Sequence, residues 1–152
     1  MTLLSAISYR LRADFSTLDF MPVRQTPPPR LTAWIDQAVP ELRGMDGVSI
    51  FACSKLPLEA LWRGRRYAGL TLWNRVYIRR THESINFANE ATIDLLFHEL
   101  AHVLQFARSP ILFPFKYLYR TMRHGYWDNP YEIEARELAA TLYKRYRLDL
   151  NS

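Results

Sequence analysis

One segment constrains the fold more than any other. From Ala91 onward the apolar residues Ile93, Leu96, Phe97, Leu100 and Leu104 recur at helical spacing and form one stripe. The stripe predicts a helix that starts after the cap residues offered by Asn86 to Asn89 and stops near Ser109 and Pro110. The flanking Leu95 and Val103 are apolar as well, so the helix must be covered on more than one side. Yet this helix carries two histidines and a glutamate, His98, Glu99 and His102. Unpartnered groups of this kind inside a core cost a few kcal/mol, about 1–3 each.

Their spacing suggests the compensation. His98 and His102 are four residues apart, slightly more than one helical turn, so both imidazoles project from one face. Two imidazoles so arranged can ligate one zinc ion. Glu99 lies about 100° farther round, where it can accept a proton from a metal-bound water without ligating the metal itself. With four histidines and eight glutamates in 152 residues, chance alone produces this His-Glu-x-x-His pattern roughly once in two hundred such chains.

A catalytic zinc needs a third protein ligand. His82 reads as a structural or surface residue in a turn before the helix. The last helix, expected over residues 130–146, offers Glu132, Glu134 and Glu137. Asn129, Pro130 and Glu132 fit the N-cap, N1 and N3 positions of a capping box, and a Glu132–Arg136 pair is possible at i, i+4. Glu134 is therefore the expected metal ligand, on the side opposite an outward-facing Arg136, with Glu132 and Glu137 as alternatives. Between the two helices, Tyr126 or His124 beside Gly125 could stabilise an oxyanion, with Tyr126 preferred.

Elsewhere the chain reads as one α+β domain over residues 1–152, with a poorly patterned segment 1–30 and a catalytic core at 69–147. Leu31, Trp34, Ile35 and Ala38 predict an amphipathic helix ending near Pro40, after an extended Pro27–Pro29 run. Residues 47–54 predict a strand, and residues 57–64 a short helix or turn. Residues 69–80 predict one bent strand, or two joined by a hairpin at Trp73, Asn74 and Arg75. Residues 110–120 are apolar with two prolines, and core packing is their expected use, with a lid or a peripheral membrane contact as alternatives.

Composition narrows the remaining classes. The single cysteine, Cys53, excludes an internal disulfide. No span-length apolar run and no signal peptide are seen, so a cytoplasmic location is expected. The net charge of +5 comes from dispersed arginine clusters without a basic-aromatic module. They read as a solvated surface, and nucleic acid is not an expected partner.

The quoted motifs resemble those of the gluzincin metallopeptidases. More narrowly they are similar to compact bacterial zincin-like domains with an HExxHxxQ helix. Residues 69–79 (GLTLWNRVYIR) match the strand before the helix in that group, Gln105 matches the glutamine, and Glu134-Ala135 match the acidic pair. The resemblance implies a minimal zincin-like fold, a small mixed sheet packed on the HExxH helix and a C-terminal ligand helix. It implies zinc held by His98, His102 and Glu134, with Glu99 as general base. It also implies an edge strand along which a peptide or protein substrate could lie. The expected activity is zinc-dependent peptide hydrolysis, and the alternative is a zinc-stabilised interaction or effector domain without turnover.

Overall fold

The structure, a computed structural model, describes residues 21–42, 47–58, 67–80 and 84–152. The expectation for residues 57–64 and that for His82 fall largely or wholly outside these segments. The described elements are β1 (Val23–Gln25), α1 (Pro29–Ala38), a 3₁₀ turn (Pro40–Leu42), β2 (Ser49–Cys53), β3 (Gly69–Leu72) and β4 (Arg75–Arg79). Three longer helices follow, α2 (Glu90–Arg108), α3 (Leu112–His124) and α4 (Pro130–Leu150).

The class is α+β, as expected, and the sheet is mixed. Its order is β1-β2-β4-β3. β2 and β4 run parallel, while β1 and β3 are antiparallel to their neighbours. Residues 69–80 resolve as two strands, and Trp73 in the turn has a φ of 55°. That left-handed conformation is unusual for a bulky residue. The Trp73 ring sits 5.5 Å from Phe106 of α2, which ties the hairpin to the long helix.

Alternation along the strands decides what each face does. Ile50, Ala52, Val76 and Ile78 are buried toward the helices, against Leu31 and Ile35 of α1 and Leu96, Phe97 and Leu100 of α2. On the other face Phe51 stacks on Tyr77 at 5.2 Å, and Tyr77 joins Cys53 and Leu56 in a second apolar cluster. In the edge strand β3 the same alternation turns Leu70 and Leu72 to that second cluster and leaves buried Thr71 facing α2.

The helix ends follow ordinary capping. Pro28 is extended (φ −54°, ψ 142°) and Pro29 opens α1, where a missing N–H costs nothing. Asn89 caps α2 by accepting from the Thr92 N–H at 3.1 Å. α4 runs one turn past its expected end at Tyr146. Its last turns are held by Trp34, whose indole donates to Asp149 at 2.7 Å and whose ring meets Tyr146 at 5.0 Å.

The expectation of core packing for residues 110–120 is corrected. These residues form most of α3, which lies on the outside of the molecule, and only Phe113 of the helix is buried. Phe113, Tyr117 and Thr121 are one turn apart and face inward, with Tyr117 and Thr121 bonded to residues of α4 or its cap. The other large apolar residues of the segment stay exposed. Among the described residues no helix is long and apolar enough to cross a membrane.

Candidate metal centre

α2 and α4 pack against each other along most of α4. The stripe of α4 that faces inward is Glu132, Ala135, Ala139 and Leu142, at i, i+3, i+7 and i+10. The first member of this apolar stripe is a carboxylate, and it meets the two histidines. His98 Nε2 and His102 Nε2 stand 3.2 Å apart. One carboxylate oxygen of Glu132 faces each imidazole, Oε2 at 3.3 Å from His98 Nε2 and Oε1 at 3.3 Å from His102 Nε2.

These three residues form a group able to hold a metal ion. Ligands about 2.0–2.2 Å from one tetrahedral ion stand roughly 3.3–3.6 Å apart, and the observed separations lie at the short edge of that range. Glu132 is 1% exposed, and its Oε2 accepts no directed hydrogen bond. Its Oε1 accepts one from the Tyr117 hydroxyl at 2.6 Å. A buried carboxylate whose two oxygens are each turned toward an imidazole nitrogen calls for a cation, a proton or a metal, between them.

The network behind His102 fixes which nitrogen is free. Gln105 Nε2 donates to the Tyr131 carbonyl at 2.9 Å and to Glu134 Oε2 at 2.9 Å. Both partners are acceptors, so the amide orientation is set and Gln105 Oε1 is left to face His102 Nδ1 at 2.8 Å. Nδ1 must then carry the proton and donate it, which leaves the Nε2 lone pair pointing into the cluster. This is the arrangement that orients histidine ligands in metal sites.

The expectation that Glu134 completes the ligand set is therefore corrected. Glu134 accepts from Arg108 Nη1 at 2.6 Å and from Gln105, and its side chain is 44% exposed. It lies about 200° round the helix from Glu132. Glu137 is exposed. The capping-box role given to Glu132 is also absent. Asn129 Oδ1 accepts from the Tyr131 N–H at 3.0 Å, and the Asn129 N–H donates to the Tyr126 carbonyl at 3.3 Å. Asn129 is fully buried, and its amide also donates to Tyr117 O and Thr121 Oγ1. It thus clamps α3 to the start of α4 and presents Glu132 inward. The inward stripe of α4 was the signal in the sequence for Glu132, hidden by the resemblance of Asn129 and Glu132 to a capping box.

Glu99 stands beside this trio, 4% exposed. Thr71 Oγ1 donates to its Oε2 at 2.7 Å and also lies 3.0 Å from its backbone carbonyl. The rest of the side chain passes over Gly69. A Cβ at that position would stand 2.8 Å from Glu99 Cδ and 3.0 Å from Cγ, so a larger residue there would push the carboxylate out of its present place. Edge strand β3 therefore holds the Glu99 carboxyl from two sides.

Burial pushes the Glu99 carboxyl above its usual range, against the lowering effect of His102 and His98. Burial alone would lower His102. The hydrogen bond to Glu132 and the charge of Glu99 outweigh it, and the imidazole pKa rises above 6.5. Burial would raise Glu132, but the two histidines and Tyr117 hold it well below the ordinary carboxylate range.

A cavity of about 220 Å³ reaches the His98 and Glu99 side of the cluster, while His102 and Glu132 lie buried behind it. His98, Glu99, Gly69, Tyr67, Tyr126 and Arg136 line it. Tyr126 belongs to this wall. Burial and then the Glu132 carboxylate raise its phenol above the ordinary value, so it remains a proton donor. His124 is exposed and lines not this cavity but an adjoining one of about 480 Å³, which shares Tyr67 and Tyr126 with it. Arg136 is not outward-facing and makes no pair with Glu132. Its guanidinium lies 5.5 Å over the Trp127 ring and donates to the Trp127 carbonyl at 2.5 Å. Tyr117 and the working role of Gln105 had no counterpart in the sequence reading. Tyr117 sits in a helix whose start the two prolines obscured.

Comparison of the chain with protein-family models, with curated proteins and with solved structures finds no match.

Proposed function

We propose that this chain is a zinc-dependent peptide hydrolase of the gluzincin kind, with His98, His102 and Glu132 as ligands. The observation that carries the reading is the convergence of two imidazole nitrogens and a buried carboxylate within 3.3 Å contacts, with a second buried carboxylate beside them. A zinc ion held there would supply Lewis acidity to a bound water and to a substrate carbonyl. Zinc suits the donor set, because two imidazoles and one carboxylate are a known catalytic ligand class.

The chain's own groups have distinct tasks. Glu99 receives a proton from the attacking water at its carboxylate and passes it to the leaving amine. Tyr126, kept protonated, donates a hydrogen bond to the carbonyl oxygen as negative charge develops there. Thr71 and Gly69 hold Glu99 against the edge strand. Gln105 holds His102 in the ligating tautomer.

The test is hydrolysis of an unstructured protein such as casein by zinc-loaded protein, beside Glu99→Gln. The reading expects cleavage by the wild type and a loss of about 10²–10⁴-fold in the variant at unchanged zinc content. Zinc bound by both with no cleavage by either would instead favour a metal-stabilised interaction domain.

A further inference from the structure

Helix α3 presents a surface that the metal centre does not use. Ile111, Leu112, Phe115, Leu118, Tyr119 and Met122 are between 56% and 80% exposed. At 100° per residue they fall within one sector about 120° wide. Phe113, Tyr117 and Thr121 occupy the opposite, inward side. Between the two sectors lie Lys116, Arg120 and Arg123, all exposed. The helix has no acidic residue, and the chain carries a net charge of +5. Among the described residues nothing covers the apolar sector.

We infer that α3 is an interfacial helix that docks the protein onto an anionic lipid surface, in the plane of the membrane. Three observations select this occupant. The sector is too apolar for a solvated helix face, since single exposed apolar residues are common but six contiguous large ones are not. The helix is far too short to span a bilayer and no described helix is able to, so the contact is peripheral. The row of three cations borders the apolar sector, where lysine and arginine stems lie along acyl chains while their charges meet lipid phosphates. A neutral apolar partner would not need that row. Each cation near an anionic surface strengthens binding roughly fivefold. The inference does not depend on the metal reading, since none of these residues touches the trio.

The experiment is co-sedimentation of the full chain with phosphatidylcholine vesicles, with and without about one third phosphatidylglycerol. Wild type is expected to sediment with the anionic vesicles and little with the neutral ones, and less at high salt. The triple variant Phe115→Ser, Leu118→Ser, Met122→Ser and the triple variant Lys116→Gln, Arg120→Gln, Arg123→Gln should each lose tenfold or more in partitioning. Phe115→Ser alone provides the smallest change to the surface, and circular dichroism checks that each variant is folded. Failure of the wild type to sediment overturns the inference, as does undiminished binding of a folded apolar variant. A wild-type dimer in light scattering that the apolar substitutions dissolve, without vesicle binding, would assign the face to a second copy instead.

Discussion

Glu132 and Glu134 differ by two positions and have opposite surroundings. Glu132 is buried against two imidazoles, whereas Glu134 is half-exposed against Arg108 and Gln105. Their neutral variants should separate accordingly. Glu132→Gln should lose stoichiometric zinc in equilibrium dialysis, while Glu134→Gln should keep one equivalent. Gln105→Leu removes the acceptor behind His102 and should weaken zinc affinity by about 10–100-fold, the usual cost of a lost outer partner. An unchanged dissociation constant would sink the tautomer argument. Gly69→Ala forces a Cβ into the Glu99 side chain, which Thr71 already holds. That substitution should lower kcat strongly and leave zinc content intact. A fully active alanine variant would mean that Glu99 can move without consequence.

At the scale of elements, what was legible in the sequence was what repeats. The period of α2, the cap residues Asn89 and Asn129, the alternation of β2 and β4 and the apolar face of α1 all follow from local pattern. The pair His98 and His102 was legible because a helical turn fixes their relation. Glu132 was harder, because its place depends on how α4 rolls against α2, and that roll is set by Ala135, Ala139 and Leu142 together. The outward face of α3 was unreadable for the opposite reason. Its apolar content resembles a core helix, and only the absence of a covering element makes it surface. Asn129 is the residue that couples these elements, since it caps α4 and bonds two groups of α3. Asn129→Ala should cost about 1–2 kcal/mol in urea unfolding and lower zinc affinity together. Loss of stability with unchanged zinc binding would show that α4's start needs no clamp.

Across the whole molecule, the metal would bind the folded chain by joining α2 to α4. Zinc at a thousandfold excess over Kd should then stabilise the fold by about 4 kcal/mol, roughly 10 °C in Tm for a chain of this size. The gain should depend on pH with a definite sign. In the metal-free protein the His102 pKa is raised above 6.5. Its contribution to metal-free stability is therefore full below the unfolded value and lost as pH rises through the folded one. Zinc needs the imidazole neutral, so protons compete with it on the acid side. The difference in Tm between zinc-loaded and chelator-treated protein should shrink from about pH 8 to about pH 6. A difference that grows toward acid would contradict this linkage.

The most direct measurement is the zinc content of purified, metal-replete protein, taken side by side for wild type, Glu132→Ala and Glu134→Ala. One equivalent in the wild type, near none in Glu132→Ala and one in Glu134→Ala is the predicted result. Less than about half an equivalent in the wild type, or zinc retained by Glu132→Ala and lost from Glu134→Ala, would contradict it.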